Sequence, residues 1–287
     1  MIYKKNKLII DGFNVNFLAK KFSTPIYCYS LKKMKKNISN FKNKFKKINP
    51  LICFAVKANT NVNILKEIKS LDLGADVVSI GELMKALKAG IKPQKIVFSG
   101  VGKTQKEIEY AINKKILLIN TESKSEILEI EKIAKRKKKV INIGIRLNPN
   151  TDPRTISQIS TGKKENKFGV DEKIFLQLVS YVKSSKNLNL KCLSVHIGSQ
   201  ILDYKPYQKM LAVIDRIIKK SKYKFEYIDL GGGMGIDYSH NDTNLNLQKY
   251  SQCIQKFLKN KNFKIIFEPG RSIIGNTAIL ITKIIYI

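Results

Sequence analysis

Residues 51–59 read Leu-Ile-Cys-Phe-Ala-Val-Lys-Ala-Asn, which is six apolar residues followed by a single lysine, Lys57. The apolar run is partly β-branched, as is typical of a strand buried on both faces. Lysine is rare inside a core unless a partner neutralises it or its chemistry is needed. Lys57 is therefore either a surface lysine at a strand end or a nucleophilic amine that forms a Schiff base with a carbonyl compound.

Strand and helix signals alternate regularly from this stretch onward. Strand-like runs occur at residues 51–57, 75–79, 95–99, 116–120, 140–147, 190–197, 225–230 and 264–268. Segments with apolar spacing of three and four residues, typical of helices, lie between them, for example at 81–89, 105–113, 123–135, 172–183, 204–220 and 247–258. Eight strands separated by helices predict an α/β fold, a closed (β/α)8 TIM barrel, with an open doubly wound sheet as the alternative.

The two ends of the chain do not follow this alternation. Residues 1–29 contain strand-like runs at 8–10 and 25–29, and residues 273–287 form a β-rich run that ends in mid-element. An unpaired apolar strand is an aggregation liability. We therefore expect a barrel at 30–271, strands of a second β-domain at 1–29 and 272–287, and a sequence that is cut short.

The chain is strongly basic, with 54 Lys plus Arg against 22 Asp plus Glu and a net charge of +32. Such a charge suits nucleic acid. However, the lysines are spread over almost every predicted helix, and the one dense run, 135–139, closes a helix, where cations are favoured. We therefore interpret the charge as solvated helix faces, predict no nucleic-acid partner, and expect the field to steer anionic small substrates.

Membrane, secretion and metal signals are weak. No apolar run approaches the ~20 residues that cross a bilayer, and the basic N-terminus lacks the apolar segment of a secretion signal. The four cysteines are far apart and form no Cys-x-x-Cys pair, so we interpret them as small buried hydrophobes in a reducing compartment. The prediction is a cytoplasmic protein with no membrane contact and no metal site.

Polar residues collect where the predicted strands end, which is where barrel enzymes have their active sites. They are Lys57, Asp76, Ser79, Ser99, Arg146, His196-Ile197-Gly198-Ser199, Gly231-Gly232-Gly233 and Glu268-Pro269-Gly270-Arg271. Alone, a triple glycine is most often a turn, and a histidine after a strand is usually structural. Their convergence on one end of a barrel predicts an active site.

Part of this set suits a phosphate group. The three glycines are expected to leave backbone N–H groups uncovered, so that a phosphate can approach closely. Ser199 and the Gly270-Arg271 amides could complete the cradle. Arg146 and Arg271 carry forked donors suited to a carboxylate or a phosphate.

The rest of the set suits an aromatic cofactor. His196 offers a flat ring for stacking, and Glu268 could keep a pyridine nitrogen protonated, which makes the ring an electron sink. With the amine of Lys57 and the phosphate cradle, this describes pyridoxal 5'-phosphate (PLP).

The chain resembles the fold-type III PLP-dependent decarboxylases, which have an alanine-racemase-like barrel. The resemblance rests on residues 54–59 (FAVKAN), 74–79 (GADVVS) with 81–83 (GEL), 196–200 (HIGSQ), 230–236 (LGGGMGI) and 268–272 (EPGRS). The loop at 159–169 (ISTGKKENKFG) points to the diaminopimelate branch rather than to ornithine or arginine decarboxylases. The similarity runs in unbroken order from about Ile10 to Tyr286.

The resemblance implies a role for each matching residue. Lys57 would be the Schiff-base lysine, His196 the ring stacker and Glu268, in Glu268-Pro269, the partner of the pyridine nitrogen. Asp76 and Arg146 would orient these groups. The phosphate would be held by Gly231, Gly232, Gly233, Ser199, Gly270 and Arg271, and Arg271 would also reach a substrate carboxylate.

The family also implies a homodimer with composite active sites, in which the partner supplies a cysteine-bearing segment from a C-terminal β-domain. That Cys-Glu-Ser segment would lie beyond residue 287, and Cys28, Cys53, Cys192 and Cys253 have other contexts. The implied activity is decarboxylation of meso-2,6-diaminopimelate to L-lysine. The alternatives are decarboxylation of ornithine, arginine or carboxynorspermidine, and a PLP-binding barrel without turnover.

Overall fold

The computed structural model describes residues 2–156, 159–162, 167–238 and 244–287. The chain begins with a small antiparallel sheet of β1 (Ile2–Lys4), β2 (Lys7–Ile10) and β3 (Phe13–Asn14). Helix α1 (Val15–Phe22), strand β4 (Ile26–Tyr29) and helix α2 (Leu31–Phe45) follow. Residues 1–29 thus contain a helix, α1, in addition to the strands that we expected. Asn14 caps this helix by accepting a hydrogen bond from the Asn16 N–H.

Eight parallel strands then close into a barrel. They are β5 (Leu51–Ala55), β6 (Gly74–Val77), β7 (Ile96–Phe98), β8 (Leu118–Thr121), β9 (Ile141–Arg146), β10 (Leu188–Ser194), β11 (Tyr227–Asp229) and β12 (Lys264–Phe267). The helices around them are α3 (Val62–Ser70), α4 (Ile80–Lys88), α5 (Gln105–Asn113), α6 (Lys124–Arg136), α7 (Glu172–Ser184), α8 (Lys205–Ser221) and α9 (Leu247–Leu258). Short 3-10 turns occur at Val56–Ala58 and Pro93–Lys95.

Closure of the barrel is decided by the pairing of its first and last strands. Ile266 and Phe267 of β12 pair with Leu51 and Ile52 of β5. The (β/α)8 barrel is therefore confirmed, and the open sheet is excluded. The strand residues from Ile52 to Ala55 are buried, which explains their uninterrupted apolar sequence.

Hydroxyl side chains at the carboxyl ends of the strands start the helices. Ser79, one of the polar residues of the strand ends, caps α4, and its Oγ accepts from the Glu82 N–H. Ser123 caps α6 in the same way, and Thr104 forms a reciprocal capping box with Glu107 at α5. Ser79 thus has a structural role.

The end of the described chain returns to its beginning. After the short helix α10 (Arg271–Ile274), strand β13 (Ala278–Ile281) pairs antiparallel with β4, from Ala278 opposite Tyr29 to Ile281 opposite Ile26. Strands from both predicted flanking segments therefore form a two-stranded sheet outside the barrel. Within the described residues, no helix is both long and apolar enough to span a bilayer.

Candidate active site

Lys57 lies just past the end of β5, in the 3-10 turn Val56–Ala58, rather than within the strand. Its Nζ is 3.6 Å from Oδ2 of Asp76, which is fully buried in β6. Neither carboxylate oxygen of Asp76 accepts a hydrogen bond from the described residues. The Asp76 carboxylate raises the pKa of Lys57, so the free amine is protonated at neutral pH. Asp76 therefore compensates a positive charge at the Lys57 nitrogen.

Glu268 follows β12 and is nearly buried. Its Oε1 accepts a hydrogen bond from Ser99 Oγ at 3.2 Å. Burial raises the pKa of Glu268 well above its usual range, and the negative charges of Asp229 and Asp76 raise it further. Both effects favour the protonated form of Glu268, which can donate a hydrogen bond into the site.

His196 lies two residues beyond the end of β10 and presents a neutral ring. Its Nδ1 accepts a hydrogen bond from the Gly232 N–H at 3.2 Å, which assigns the ring proton to Nε2. Burial lowers the pKa of His196 well below its usual range, and the positive charges of Arg146 and Lys57 act in the same direction. A flat, uncharged ring is suited to stacking on an aromatic cofactor.

Several free donors surround one corner of the site. Within the described residues, the backbone N–H groups of Gly233, Gly270 and Arg271 have no hydrogen-bond acceptor in the protein. Arg271 Nε donates to Ser199 Oγ at 3.3 Å, and its Nη1 donates to the hydroxyl of Tyr238 at 2.7 Å. This corner can hold a phosphate.

Two of the three amides that we expected to be uncovered are used inside the protein. The Gly231 N–H donates to Asp229 Oδ1 at 2.9 Å, and the Gly232 N–H donates to His196. Only the Gly233 amide remains open among them. The other two glycines fix the direction of Asp229 and His196, and their role toward a phosphate remains a proposal.

Two adjoining cavities share Lys57, His196, Ser199 and Glu268. The first, of about 390 Å³, also contains the phosphate corner and Tyr238. The second, of about 460 Å³, is also lined by residues from other strand ends and from the loop after β9, which include Ser99, Arg146, Thr161 and Phe168. An amine, a protonated carboxyl, a neutral ring and a cradle of free amides fit PLP, and the second cavity leaves room for a substrate beside it.

Arg146 lines the second cavity and is held in place by several contacts. Its guanidinium makes a 2.7 Å ion pair with Glu122, and both side chains are buried. Arg146 Nη2 also lies 3.4 Å from the carbonyl oxygen of His196, and the guanidinium packs over the ring of Phe168 at 4.8 Å. Arg146 thus orients the His196 segment and the loop around Phe168. Residues 163–166 of the loop that suggested the diaminopimelate branch lie outside the described residues.

The structure locates the remaining predicted residues close by. Asp76 touches Lys57 but does not line either cavity, and the carbonyl of Pro269 accepts from the Ala55 N–H at 3.2 Å. Sequence reasoning missed Tyr238, Glu122 and Asp229. Only Asp229 carried a local signal, since it ends a strand directly before Leu230 and the glycines.

Gly233→Ala should weaken PLP binding by about tenfold or more, because the backbone must shift to relieve the overlap of the new Cβ, and the open Gly233 amide is then lost to the phosphate, as a hydrogen bond to a charged group contributes about 1.5–3 kcal/mol. Gly233 has φ +85°, and an added Cβ would overlap the carbonyl oxygen of Gly198. The measurement is an absorbance titration with PLP. Gly102→Ala is the matched control, because Gly102 has φ +73° but open space around its Cβ. Equal PLP affinity in both variants would contradict this assignment.

The closed barrel and the two cavities at its strand ends place this chain in the class of PLP-binding barrel enzymes. The chain belongs to the pyridoxal-dependent decarboxylases, since residues 31–275 match the family model described as "Pyridoxal-dependent decarboxylase, pyridoxal binding domain". It is 41% identical, over 98% of its length and 67% of the relative, to diaminopimelate decarboxylase of Aquifex aeolicus. It is 44% identical, over 96% of its length and 68% of the relative, to that of Helicobacter pylori strain J99.

Solved structures give the same result. The crystal structure of the Helicobacter pylori diaminopimelate decarboxylase complexed with L-lysine matches with a TM-score of 0.92 and 43% identity, over 95% of this chain and 70% of that one. The M. jannaschii enzyme in co-complex with L-lysine matches with a TM-score of 0.90 and 33% identity, over 96% and 68%. This chain therefore spans about two thirds of the length of these relatives. Its cofactor is PLP, and its enzyme class is the carboxy-lyases.

Proposed function

We propose that this chain carries out the decarboxylation of meso-2,6-diaminopimelate to L-lysine and carbon dioxide, the last step of lysine biosynthesis. The observation that carries the proposal is Lys57, held by Asp76 in a cavity between His196 and Glu268. Identities of 41% and 44% to diaminopimelate decarboxylases support this substrate over ornithine or arginine.

The residues of the site take the following roles. When bound, PLP supplies a protonated pyridine ring that accepts the electron pair left on the substrate's α-carbon as carbon dioxide departs. Lys57 would hold the cofactor through its Nζ, and Asp76 would balance the charge there. His196 would stack on the ring, and Glu268 would hydrogen-bond the ring nitrogen.

The corner formed by Ser199, Gly233, Gly270 and Arg271 would hold the phosphate, with Gly231 and Gly232 fixing the backbone around it. Arg271 also reaches a substrate carboxylate, because its guanidinium lines the first cavity and has donors to spare. Arg146 is held by its ion pair with Glu122 and positions His196 by donating to the carbonyl oxygen of that residue.

The test is substrate profiling of the PLP-loaded chain by carbon dioxide release. We expect meso-diaminopimelate to react at least about 100-fold faster than ornithine, because a site built to pair a distal carboxylate is left with unpaired donors when that group is missing. Equal rates would contradict the proposed substrate. PLP binding with no carbon dioxide release from any amino acid would favour the non-catalytic alternative.

We also propose a homodimer with composite active sites. Large apolar side chains remain exposed beside the barrel, on α1, β4 and β13, and include Phe22, Tyr27 and Leu280. A neighbouring group of exposed apolar side chains is typical of an interaction surface. Sedimentation equilibrium of the PLP-loaded chain would detect the dimer, and a single monomeric species at micromolar concentration would contradict it.

A further inference from the structure

Asp229 is a buried carboxylate that the roles above do not use. It ends β11 inside the barrel and is fully inaccessible to solvent. Its oxygens accept three hydrogen bonds, from the Gly231 N–H at 2.9 Å, from Asn120 Nδ2 at 2.9 Å and from Ser194 Oγ at 3.4 Å. No lysine or arginine among the described residues forms an ion pair with it. Neutral donors alone therefore stabilise a negative charge on Asp229.

A hydrogen-bond chain connects Asp229 to Glu268. Asn120 Nδ2 also donates to Ser99 Oγ at 3.2 Å, and Ser99 Oγ donates to Glu268 Oε1 at 3.2 Å. The two carboxyl groups are also close enough for the charge of Asp229 to raise the pKa of Glu268. Two neighbouring buried carboxyl groups are not both ionised, because like charges disfavour each other, so one of them carries a proton.

The donors on each side decide where this proton resides. Within the described residues, the Asp229 carboxylate accepts three hydrogen bonds, whereas the Glu268 side chain accepts one, from Ser99. Since hydrogen bonds to the charged form favour that form, Asp229 is the anion and Glu268 the acid.

The surrounding charges agree with this arrangement. Glu268 faces the negative Asp229 and Asp76 and the positive Lys57, and its pKa is raised well above its usual range by burial and by the two carboxylates. Burial raises the pKa of Asp229 to about 6, so it is ionised at neutral pH. The adjacent Cys53 and Cys192 thiols and His196 are neutral, because burial raises the pKa of both thiols and lowers that of His196.

We propose that Asp229 is a positioning residue that keeps one proton on Glu268 in the cofactor-free protein. The proposal rests on the role proposed for Glu268. Glu268 would give up this proton when PLP binds, to the ring nitrogen if that nitrogen arrives unprotonated and to solvent if it arrives protonated. Glu268 would then be the carboxylate that accepts a hydrogen bond from the ring N–H.

The first test uses the cofactor-free chain and infrared spectroscopy over a range of pH. The carbonyl band of the protonated Glu268 carboxyl is assigned by its loss in Glu268→Gln. We expect this band to persist at pH 7 in the wild type. In Asp229→Asn, the pH at which it is half lost should fall by about one unit or more, because a neighbouring like charge has been removed. An unchanged or higher midpoint would overturn the proposal.

A control and a second variant complete this test. Ser194→Ala removes the longest hydrogen bond to Asp229 but leaves its charge, so the Glu268 midpoint should stay close to that of the wild type. If Asp229→Asn fails to fold, Asn120→Ala replaces it. Loss of the Asn120 donor should raise the midpoint pH of the lower of the two carboxyl titrations, which the proposal assigns to Asp229. No change in that midpoint would overturn the proposal.

The second test counts protons when PLP binds, by calorimetry in buffers of different ionisation enthalpy, at a pH between the Glu268 midpoints of the wild type and of Asp229→Asn. Asp229→Asn should take up more protons than the wild type, up to one more per site. An equal number would overturn the proposal. Failure of the wild type to bind PLP would instead contradict the proposed function, and the infrared test on the cofactor-free chain does not depend on it.

Discussion

Replacement of Lys57 by alanine is expected to abolish covalent attachment of PLP and to reduce decarboxylation by on the order of 10⁴-fold, as for other residues that act as the covalent centre of a site. Lys57 is the one lysine that lines both cavities of the candidate site, among the residues that the structure describes. It is also the lysine whose Nζ lies against the buried Asp76.

The attachment can be measured without relying on turnover. Borohydride reduction of the PLP-loaded wild type followed by peptide mass spectrometry should place the label on Lys57, and Lys57→Ala should carry no label. Lys95→Ala is the matched control, since Lys95 also pairs with an aspartate, Asp72 at 2.6 Å, but next to the other end of the barrel strands. Labelling of Lys57→Ala at wild-type level would refute the assignment of Lys57.

Glu122→Ala is expected to destabilise the fold by about 3–5 kcal/mol, because it leaves the charge of Arg146 buried without its partner. The Arg146 side chain is only 9% exposed, and the 2.7 Å ion pair is its one carboxylate contact in the described structure. The second oxygen of Glu122 accepts from the Gly169 N–H at 2.8 Å, so the loop beside the second cavity also loses an anchor.

Urea unfolding followed by circular dichroism measures this effect. Glu109→Ala is a suitable control, because Glu109 pairs with Arg136 and Lys137 at the surface, where ion pairs contribute roughly 0–1 kcal/mol. The free energy of unfolding should fall several times further in Glu122→Ala than in Glu109→Ala. Similar losses would mean that the Glu122–Arg146 pair is not a buried structural unit.

The sequence was sufficient to predict the barrel because strand signals are local. A strand buried on both faces is a short apolar run, and a helix on a barrel has apolar spacing of three and four residues. The predicted helices at 105–113 and 247–258 agree with α5 and α9 at both ends. Helix α1 was missed because only eight residues form it and several of its large side chains, such as Phe17 and Phe22, stay exposed.

The chemistry of the site was only partly local. Strand ends pointed to Lys57, His196 and Glu268, since the end of a barrel strand can be located from the pattern alone. Tyr238 could not be found in this way, because it lies beyond the glycine segment and meets Arg271 only through the folded chain.

What the sequence by itself determined is the eightfold alternation of strands and helices and the residue types at the strand ends, because both are properties of neighbouring residues. The tertiary structure decided which groups are joined by hydrogen bonds. Asp229, Asn120 and Ser99 come from three different strand ends, and their hydrogen bonds reach Glu268 on a fourth. The open amide of Gly233 was likewise decided by folding, because His196 and Asp229 occupy the amides of the two glycines before it.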